Sequence, residues 1–203
     1  MISRRVLLAT SLAVAALPRQ ALTASDATSP TAAIAAFYDS LVAAMKDGPT
    51  LGFTGRRDRL GPAIRRTFDL PLMTRLMVGP QWLGFTPAQQ QQLVAAFTDF
   101  SIATYASRFD DYSGEIFQVD PGATPVQSGV VVHTKLIKSD GERVALNYLM
   151  HDNGGAWQIV DVYLSGTVSE LATRRSEFAS VMRRGGPDAL VDVLQKKVAE
   201  LRG

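Results

Sequence analysis

Few residues of this 203-residue chain have the type and position needed for catalysis or metal binding. The candidates are His133, the adjacent pair His151 and Asp152, and Asp161, which lies between apolar neighbours. A carboxyl group buried in this way can act as a general base, because burial raises its pKa toward neutrality. Asp161 fits equally well as a carboxylate that accepts hydrogen bonds from a loop or an arginine, since unpaired burial is costly.

The other chemical signals favour a protein that is not an enzyme. The chain contains no HExxH, GxSxG, GxGxxG, P-loop or EF-hand pattern. It has no cysteine, which excludes thiolate metal sites, cysteine nucleophiles and a lipid-bearing cysteine anchor. We therefore predict no catalytic residue, no metal site and no cofactor. The alternative is an exported, cone-shaped enzyme that uses Asp161 with His133 or Tyr148 for acid/base chemistry.

The first 24 residues have the features of a cleaved export signal. Met1–Arg5 is short and cationic, and the apolar stretch Val6–Leu17 that follows is too short to span a bilayer. The segment Ser3–Leu8 resembles a twin-arginine signal, and the ordinary secretory route is the alternative. We predict cleavage after Ala24 and a single domain over residues 25–203.

The positive net charge of the chain comes from this amino-terminal segment. The formal net charge is +2, but residues 1–24 hold three of the 21 basic residues and none of the 19 acidic ones. Residues 25–203 therefore carry 18 basic and 19 acidic residues, a formal net charge of −1. The basic pairs Arg174–Arg175 and Arg183–Arg184 have no aromatic residues interleaved with them. These features predict no nucleic acid partner.

Helical patterns precede and follow a central β region, an order typical of the α+β class. Ser29–Pro30 and Thr86–Pro87 have the capping residues of helix starts, and Thr167–Glu170 repeats the capping pattern. We predict helices from Pro30 to the Gly48–Pro49 stop, over Arg57–Phe68, over Leu70–Val78, from Pro87 to about Arg108, from Thr167 to Gly185–Gly186, and from Pro187 onward.

The central region predicts four strands. The runs with a period of two are Gly114–Val119, Val126–Lys138, Glu142–His151 and Ala156–Leu164. Hairpin-type turns at Asp140–Gly141 and Asn153–Gly155 indicate antiparallel pairing. The predicted fold is therefore α+β, with a four-stranded antiparallel curved sheet flanked by N- and C-terminal helices. Helices that cover only one face of such a sheet would make it cone-like.

The last predicted strand leaves its buried face undecided. Trp157, Ile159 and Tyr163 share one face with Asp161, whereas Val160, Val162 and Leu164 share the other. Both sets contain large apolar residues, so alternation alone does not choose between them.

Several segments, taken in order, resemble one known family. They are Val78–Trp82 leading into Thr86–Gln90, then Phe97 and Phe100, Tyr105–Tyr112, Val132–Thr134, Asn147–Leu149, Trp157–Ser169 and Arg174–Phe178. This series resembles the periplasmic lipid-carrier proteins of the MlaC/Ttg2D type, also described as toluene-tolerance auxiliary transport proteins. The segment Gly166–Ala172, with Arg174–Phe178 after it, is similar to the branch associated with hopanoid biosynthesis.

The resemblance implies a periplasmic lipid-binding shuttle that acts as a monomer. Its helices and sheet would enclose an internal apolar cavity for a lipid, either a hopanoid or a phospholipid, and it would exchange this cargo with a membrane transport complex. On this interpretation we expect the cavity to be lined by Leu72, Met73, Leu76, Phe97, Phe100, Val132, Leu136, Leu146, Tyr148, Ile159 and Phe178. A third interpretation is an adaptor that binds a protein partner through its last two helices.

Overall fold

The computed structural model describes residues 29–202. The predicted export signal, residues 1–24, lies outside this part of the chain. Within the described residues helices come first, strands follow and a long helix comes last, so the α+β prediction is confirmed. None of the helices in residues 29–202 is both long enough and apolar enough to cross a membrane.

The first two helices meet at Asp47. Helix α1 spans Pro30–Lys46, and the Ser29 hydroxyl caps it by accepting a hydrogen bond from the Ala32 N–H at 3.1 Å. Helix α2 spans Gly48–Thr67. The Gly48–Pro49 pair therefore ends one helix and begins the next, since proline is tolerated in a first helical turn. Gly52 interrupts α2 with a φ of 59° and a ψ of −178°.

The next helices match their predicted bounds. Helix α3 spans Leu70–Val78 and is capped by Asp69, whose side chain accepts a hydrogen bond from the Leu72 N–H at 3.0 Å. A 3₁₀ helix, Gly79–Gly84, continues directly from α3. Helix α4 spans Pro87–Arg108 and begins with the predicted capping box of Thr86 and Gln89.

Within residues 29–202 the sheet has seven strands rather than the four predicted. In chain order they are β1 Ile116–Val119, β2 Thr124–Val126, β3 Gly129–Val132, β4 Thr134–Ile137, β5 Arg143–Asn153, β6 Ala156–Leu164 and β7 Val168–Ser169. β5 lies at the centre and pairs antiparallel with β3, β4 and β6. β1 pairs with β4, β2 with β3 and β7 with β6, all antiparallel.

The strand count differs because the second predicted run divides at His133. β3 and β4 pair with β5 in the same register, so they are two parts of one line of chain. At the start of β4, the Thr134 hydroxyl donates to the Leu146 carbonyl, and the Thr134 N–H donates to the Asn147 side chain at 3.4 Å. These side-chain hydrogen bonds take the place of ladder hydrogen bonds at this position.

A β-bulge in β6 decides which residues face the helices. Met150 pairs with Ile159, but its neighbour Leu149 pairs with Asp161, so Val160 is the extra residue. The bulge shifts the alternation by one position. Ile159 and Val162 therefore share a face with Met150 and Tyr148, and Asp161 lies on the opposite face.

Helix α5 spans Glu170–Glu200 and is broken at Gly186, where φ is 67° and ψ is −159°. The break confirms the predicted division near Gly185–Gly186. The predicted start at Thr167 is wrong, because the cap is Ser169, whose hydroxyl accepts from the Ala172 N–H at 2.9 Å. Thr167 instead belongs to the tight turn before β7, where its N–H donates to the Leu164 carbonyl at 3.2 Å.

The hydrophobic core lies between α1 and the sheet. Helix α1 packs on β1, β3 and β6, while α2, α3 and α5 also contact β6. Phe37 is at the centre, with ring contacts of 5.3 Å to Phe68 and 5.5 Å to Tyr105 between centroids. Fully buried Val132 and Ile159 complete this core from the sheet side.

Candidate functional site

An apolar cavity of about 110 Å³ lies beside this core and is partly open to the surface. Its walls come from α3, α4, β5, β6 and the first two turns of α5. The lining residues are Phe68, Met73, Phe97, Phe100, Ser101, Thr104, Tyr105, Arg108, Phe109, Leu146, Tyr148, Val162, Leu164, Glu170, Leu171 and Arg174.

Helix α4 supplies one continuous stripe of this lining. Phe97, Phe100, Ser101, Thr104, Tyr105 and Arg108 recur at intervals of three and four residues, which places them on one face of the helix. The two small polar residues bond to their own helix: Ser101 donates to the Phe97 carbonyl and Thr104 to the Phe100 carbonyl, both at 2.8 Å. Both hydroxyl groups are therefore already hydrogen-bonded and need no polar partner inside the cavity.

The sheet supplies the opposite wall by alternation. Leu146 and Tyr148 are two residues apart in β5, and Val162 and Leu164 are two residues apart in β6. Tyr148 pairs with Val162, and Leu146 pairs with Leu164. The four side chains form a compact patch, which exists only because the bulge at Val160 brings Val162 and Leu164 to this face.

Five of the eleven residues that we expected to line the cavity do so: Met73, Phe97, Phe100, Leu146 and Tyr148. Val132 and Ile159 are fully buried in the adjoining core, and Leu136 packs against that core. Phe178 is buried with its ring 6.3 Å from that of Phe100. Leu72 is partly exposed, and Leu76 is 44% exposed on the outer side of α3. Contact of the five with a ligand remains a prediction.

A chain of hydroxyl groups lies at the sheet side of the cavity. The Tyr38 hydroxyl is 2.5 Å from that of Thr134 and 3.1 Å from that of Tyr148. Burial raises the pKa of Tyr38 to about 12 and the pKa of Tyr148 well above its usual value. Both phenols therefore stay neutral at physiological pH, and their hydrogen bonds satisfy polar atoms in an otherwise apolar wall.

Tyr105 presents an aromatic face to the same cavity. Its ring stacks on Phe109 at 5.6 Å, and it meets Phe37 and Phe68 edge to face. Burial raises the pKa of its phenol well above the usual value. Neither Tyr105 nor Phe109 is among the eleven residues expected from the sequence. Tyr105 lies eight residues after Phe97, close to the same face of α4, and this spacing would have identified it, whereas Phe109 lies beyond the last residue of α4, where helical spacing gives no signal.

Charged residues occur at the α5 end of the cavity. Arg174 pairs with Glu170 at 3.5 Å and with Glu177 at 2.8 Å, and its guanidinium lies 5.1 Å from the centre of the Phe100 ring. Arg108 lines the cavity from the last turn of α4. The cavity thus combines an apolar interior with guanidinium groups where it approaches solvent.

Asp161 has a structural role in this arrangement. Its buried carboxylate accepts hydrogen bonds from the Val162 N–H at 2.8 Å, the Leu171 N–H at 3.1 Å and the Ser169 hydroxyl at 2.6 Å. It therefore stabilises the start of α5. The acid/base alternative required Asp161 to share a cavity with Tyr148 or His133, but of these three only Tyr148 lines it.

The two histidines are also engaged elsewhere. His133 is exposed and lies 3.1 Å from the Thr124 hydroxyl. His151 lies 2.9 Å from the carboxylate of Asp69, the cap of α3. Within residues 29–202, no three His, Asp or Glu side chains come close enough together to hold a metal ion.

Comparison with known proteins identifies the family. The model of the family described as MlaC protein matches residues 36–196. Among solved structures, the chain is similar to a phospholipid-binding protein from Ralstonia solanacearum in complex with a phospholipid, with 27% sequence identity and a TM-score of 0.75. That match covers 86% of this chain and 99% of the other. Since the family model spans well over half of its length, the chain belongs to the MlaC protein family.

Proposed function

We propose that this chain is a lipid carrier and that the apolar cavity holds the hydrocarbon part of its cargo. The observation that carries the proposal is the cavity itself, whose wall consists mainly of aromatic and aliphatic side chains. The similarity to a phospholipid-binding protein supports the same conclusion. Tyr148 supplies a polar group to the sheet wall, and its hydroxyl already accepts a hydrogen bond from the Tyr38 hydroxyl.

The expected binding free energy suits a carrier. Burying roughly 400 Å² of lipid surface at about 25 cal/mol per Å² gives on the order of 10 kcal/mol before ordering costs. Such a lipid would leave very slowly into water. Release therefore requires an alternative apolar site, which a membrane or a membrane transport complex provides.

Holding a complete lipid requires the cavity walls to separate. The volume of about 110 Å³ is below the roughly 300–1,000 Å³ of typical ligand pockets. Ladder hydrogen bonds join β5 to β6 along their length, whereas α3 and α5 are hydrogen-bonded to the sheet at their starts, through Asp69 and Asp161, and beyond that meet it by packing. We therefore assign the opening movement to α3 and the first half of α5, rather than to the sheet.

The same proposal covers the location and cargo of the protein. Residues 1–24 would direct export and be removed, and residues 25–203 would form one lipid-binding domain that works as a periplasmic monomer. The cargo would be a phospholipid or a hopanoid, exchanged with a membrane transport complex. The phospholipid in the similar Ralstonia solanacearum structure favours the first class, and the Gly166–Ala172 segment favours the second.

Denaturing extraction of the purified protein, followed by lipid mass spectrometry, tests this proposal. The protein should come from a host that makes both phospholipids and hopanoids. We expect one of these classes in a fixed ratio to protein, and its identity decides between them. Protein that is consistently empty, and that also fails to take up lipid from vesicles, would overturn the proposal.

A further inference from the structure

An exposed apolar ridge lies outside the cavity, on the opposite side of α3. Leu83 in the 3₁₀ helix is 84% exposed, the highest value among the large exposed hydrophobic residues in the described part of the chain. Leu76, in the last turns of α3, is 44% exposed. The 3₁₀ helix is held in place, because the Gln90 side-chain amide donates to the carbonyls of Trp82 at 3.0 Å and Phe85 at 3.4 Å. Leu83 therefore projects from an anchored segment.

Two arginines lie next to this ridge. The Arg175 guanidinium packs against Gly79, the first residue of the 3₁₀ helix; a β-carbon at Gly79 would be only 3.0 Å from it. Leu83 follows Gly79 by four residues, which at a rise of about 2 Å per residue places its backbone roughly 8 Å from Gly79 along the helix axis. A groove of about 300 Å³ lies beside the 3₁₀ helix. Arg175 and Arg183 are both among the residues that line it. Within residues 29–202, neither arginine forms a salt bridge, and no acidic residue lines the groove.

The groove adjoins the lipid cavity. Its floor includes Val78, Phe178 and Met182, and the Phe178 ring meets the cavity-lining Phe100 edge to face at 6.3 Å. Arg174, the neighbour of Arg175, lines the cavity itself. A surface bound at the ridge would therefore contact the two helices, α3 and α5, to which we assign the opening movement.

We propose that Leu76, Leu83, Arg175 and Arg183 form a docking surface for an anionic lipid bilayer. A bilayer places anionic headgroups within a few ångströms of hydrocarbon, which matches the Arg175 guanidinium at the start of the short 3₁₀ helix from which Leu83 projects. Trp82, next to Leu83, is partly buried against the core, so that Leu83 is the side chain that projects. Docking is an addition to the carrier function, since these four side chains line none of the cavity.

Vesicle flotation tests the docking surface with a matched pair of double variants. Leu83→Ser with Arg183→Glu removes one projecting apolar group and reverses one charge. Ile116→Ser with Arg143→Glu makes the same changes elsewhere, at exposed sites linked through Ile137 at one end of the sheet. Thermal unfolding midpoints establish that both proteins are folded.

We expect the wild-type chain to bind vesicles of equal parts phosphatidylglycerol and phosphatidylcholine, and to bind pure phosphatidylcholine vesicles about tenfold more weakly. Added NaCl should weaken binding. The Leu83/Arg183 variant should lose about tenfold in affinity, and the Ile116/Arg143 variant should match wild type. Absence of wild-type binding, or equal binding by the Leu83/Arg183 variant, would overturn the proposal.

Lipid extraction from the same samples separates this proposal from the carrier function. Vesicle binding by protein that carries no lipid, and takes none up from the vesicles, would overturn the carrier function and leave docking intact. Lipid-filled protein that does not bind anionic vesicles, but transfers its lipid to a membrane protein, would overturn docking and leave the carrier function intact.

Discussion

The Asp161 carboxylate accepts a hydrogen bond from the backbone N–H of Leu171, and this bond joins β6 to the first turn of α5. Leu171 lines the cavity from one side, and Val162, the residue after Asp161, lines it from another. The carboxylate thus lies at the amino-terminal, positive end of the α5 helix dipole. One buried acidic residue thus determines where the helical wall meets the sheet wall.

Asp161→Asn should destabilise the protein by about 1–3 kcal/mol. The amide loses the charge, and its NH₂ group replaces one of the two oxygens that accept these bonds: Oδ1 accepts from the Val162 and Leu171 N–H groups, and Oδ2 accepts from the Ser169 hydroxyl. Urea unfolding at pH 7 measures the effect. Asp58→Asn is the control, because Asp58 is exposed on α2. A loss no larger than that of Asp58→Asn would contradict the structural role of Asp161.

Val162→Phe should lower the amount of lipid that copurifies with the protein by several-fold, because the larger side chain takes up part of the cavity. Val162 lines the cavity opposite the helices, and a larger ring at this position fills part of about 110 Å³. Lipid mass spectrometry, normalised to protein, provides the measurement. Val126→Phe makes the same change on β2, where the side chain is 41% exposed and outside the cavity lining. Equal lipid content in both variants would argue against the proposed site.

Gly186→Ala should cost about 1–3 kcal/mol of unfolding free energy. A φ of 67° with a ψ of −159° is a conformation that essentially only glycine adopts. A β-carbon at Gly186 would meet no atom within 4 Å, so the cost arises from the backbone alone. Gly84→Ala is the matched control, because a β-carbon there also meets nothing and its φ is ordinary. Denaturant unfolding should place this control within about 0.5 kcal/mol of wild type.

Acid should weaken the contact between the two halves of α5. Glu177 accepts from Arg174 at 2.8 Å and from Lys197 at 2.7 Å, and Lys197 lies beyond the break at Gly186. Burial raises the pKa of Glu177, but the hydrogen bonds from Lys197 and Arg174 lower it by more than burial raises it. The net pKa of Glu177 is therefore below the ordinary value of 4.5. The stability it contributes is therefore complete above pH 4.5 and is lost as the pH falls through the lowered pKa.

Urea unfolding of wild type and Glu177→Gln across this range tests the acid effect. The stability difference between them should be largest at pH 7 and should shrink below pH 4.5. The exposed Glu200→Gln variant controls for a general loss of negative charge. A difference that does not change with pH would show that the ion pairs of Glu177 contribute nothing to stability.

The predictions that succeeded rest on short-range chemistry. The helix starts at Ser29 and Thr86 depend on side chains that bond to N–H groups three residues away, so adjacent residues suffice to identify them. The hairpin turn at Asp140–Gly141, between β4 and β5, likewise depends on residues that are adjacent in the chain. Thr167 shows where such patterns become ambiguous: two capping residues lie two positions apart, and the carboxylate of Asp161 favours Ser169.

The sheet faces and the cavity depended on contacts between distant residues. Alternation in β6 did not decide which of its two faces is buried. Because of the bulge at Val160, the buried face takes Ile159 from one predicted set and Val162 and Leu164 from the other. Leu72 and Leu76 have the helical period of inward residues, but α3 turns their side of the helix outward, because Met73 and Met77 are the residues that meet the other elements.

By itself, then, the sequence determined the element types, their order, the family resemblance and the supply of apolar side chains. Only the tertiary structure decided which of those side chains pack against one another and which border an open space. The physical reason is that capping and turn formation act over three or four residues, whereas a cavity is a gap between elements far apart in the chain. Filled and hollow interiors use the same residue types, so composition does not distinguish them.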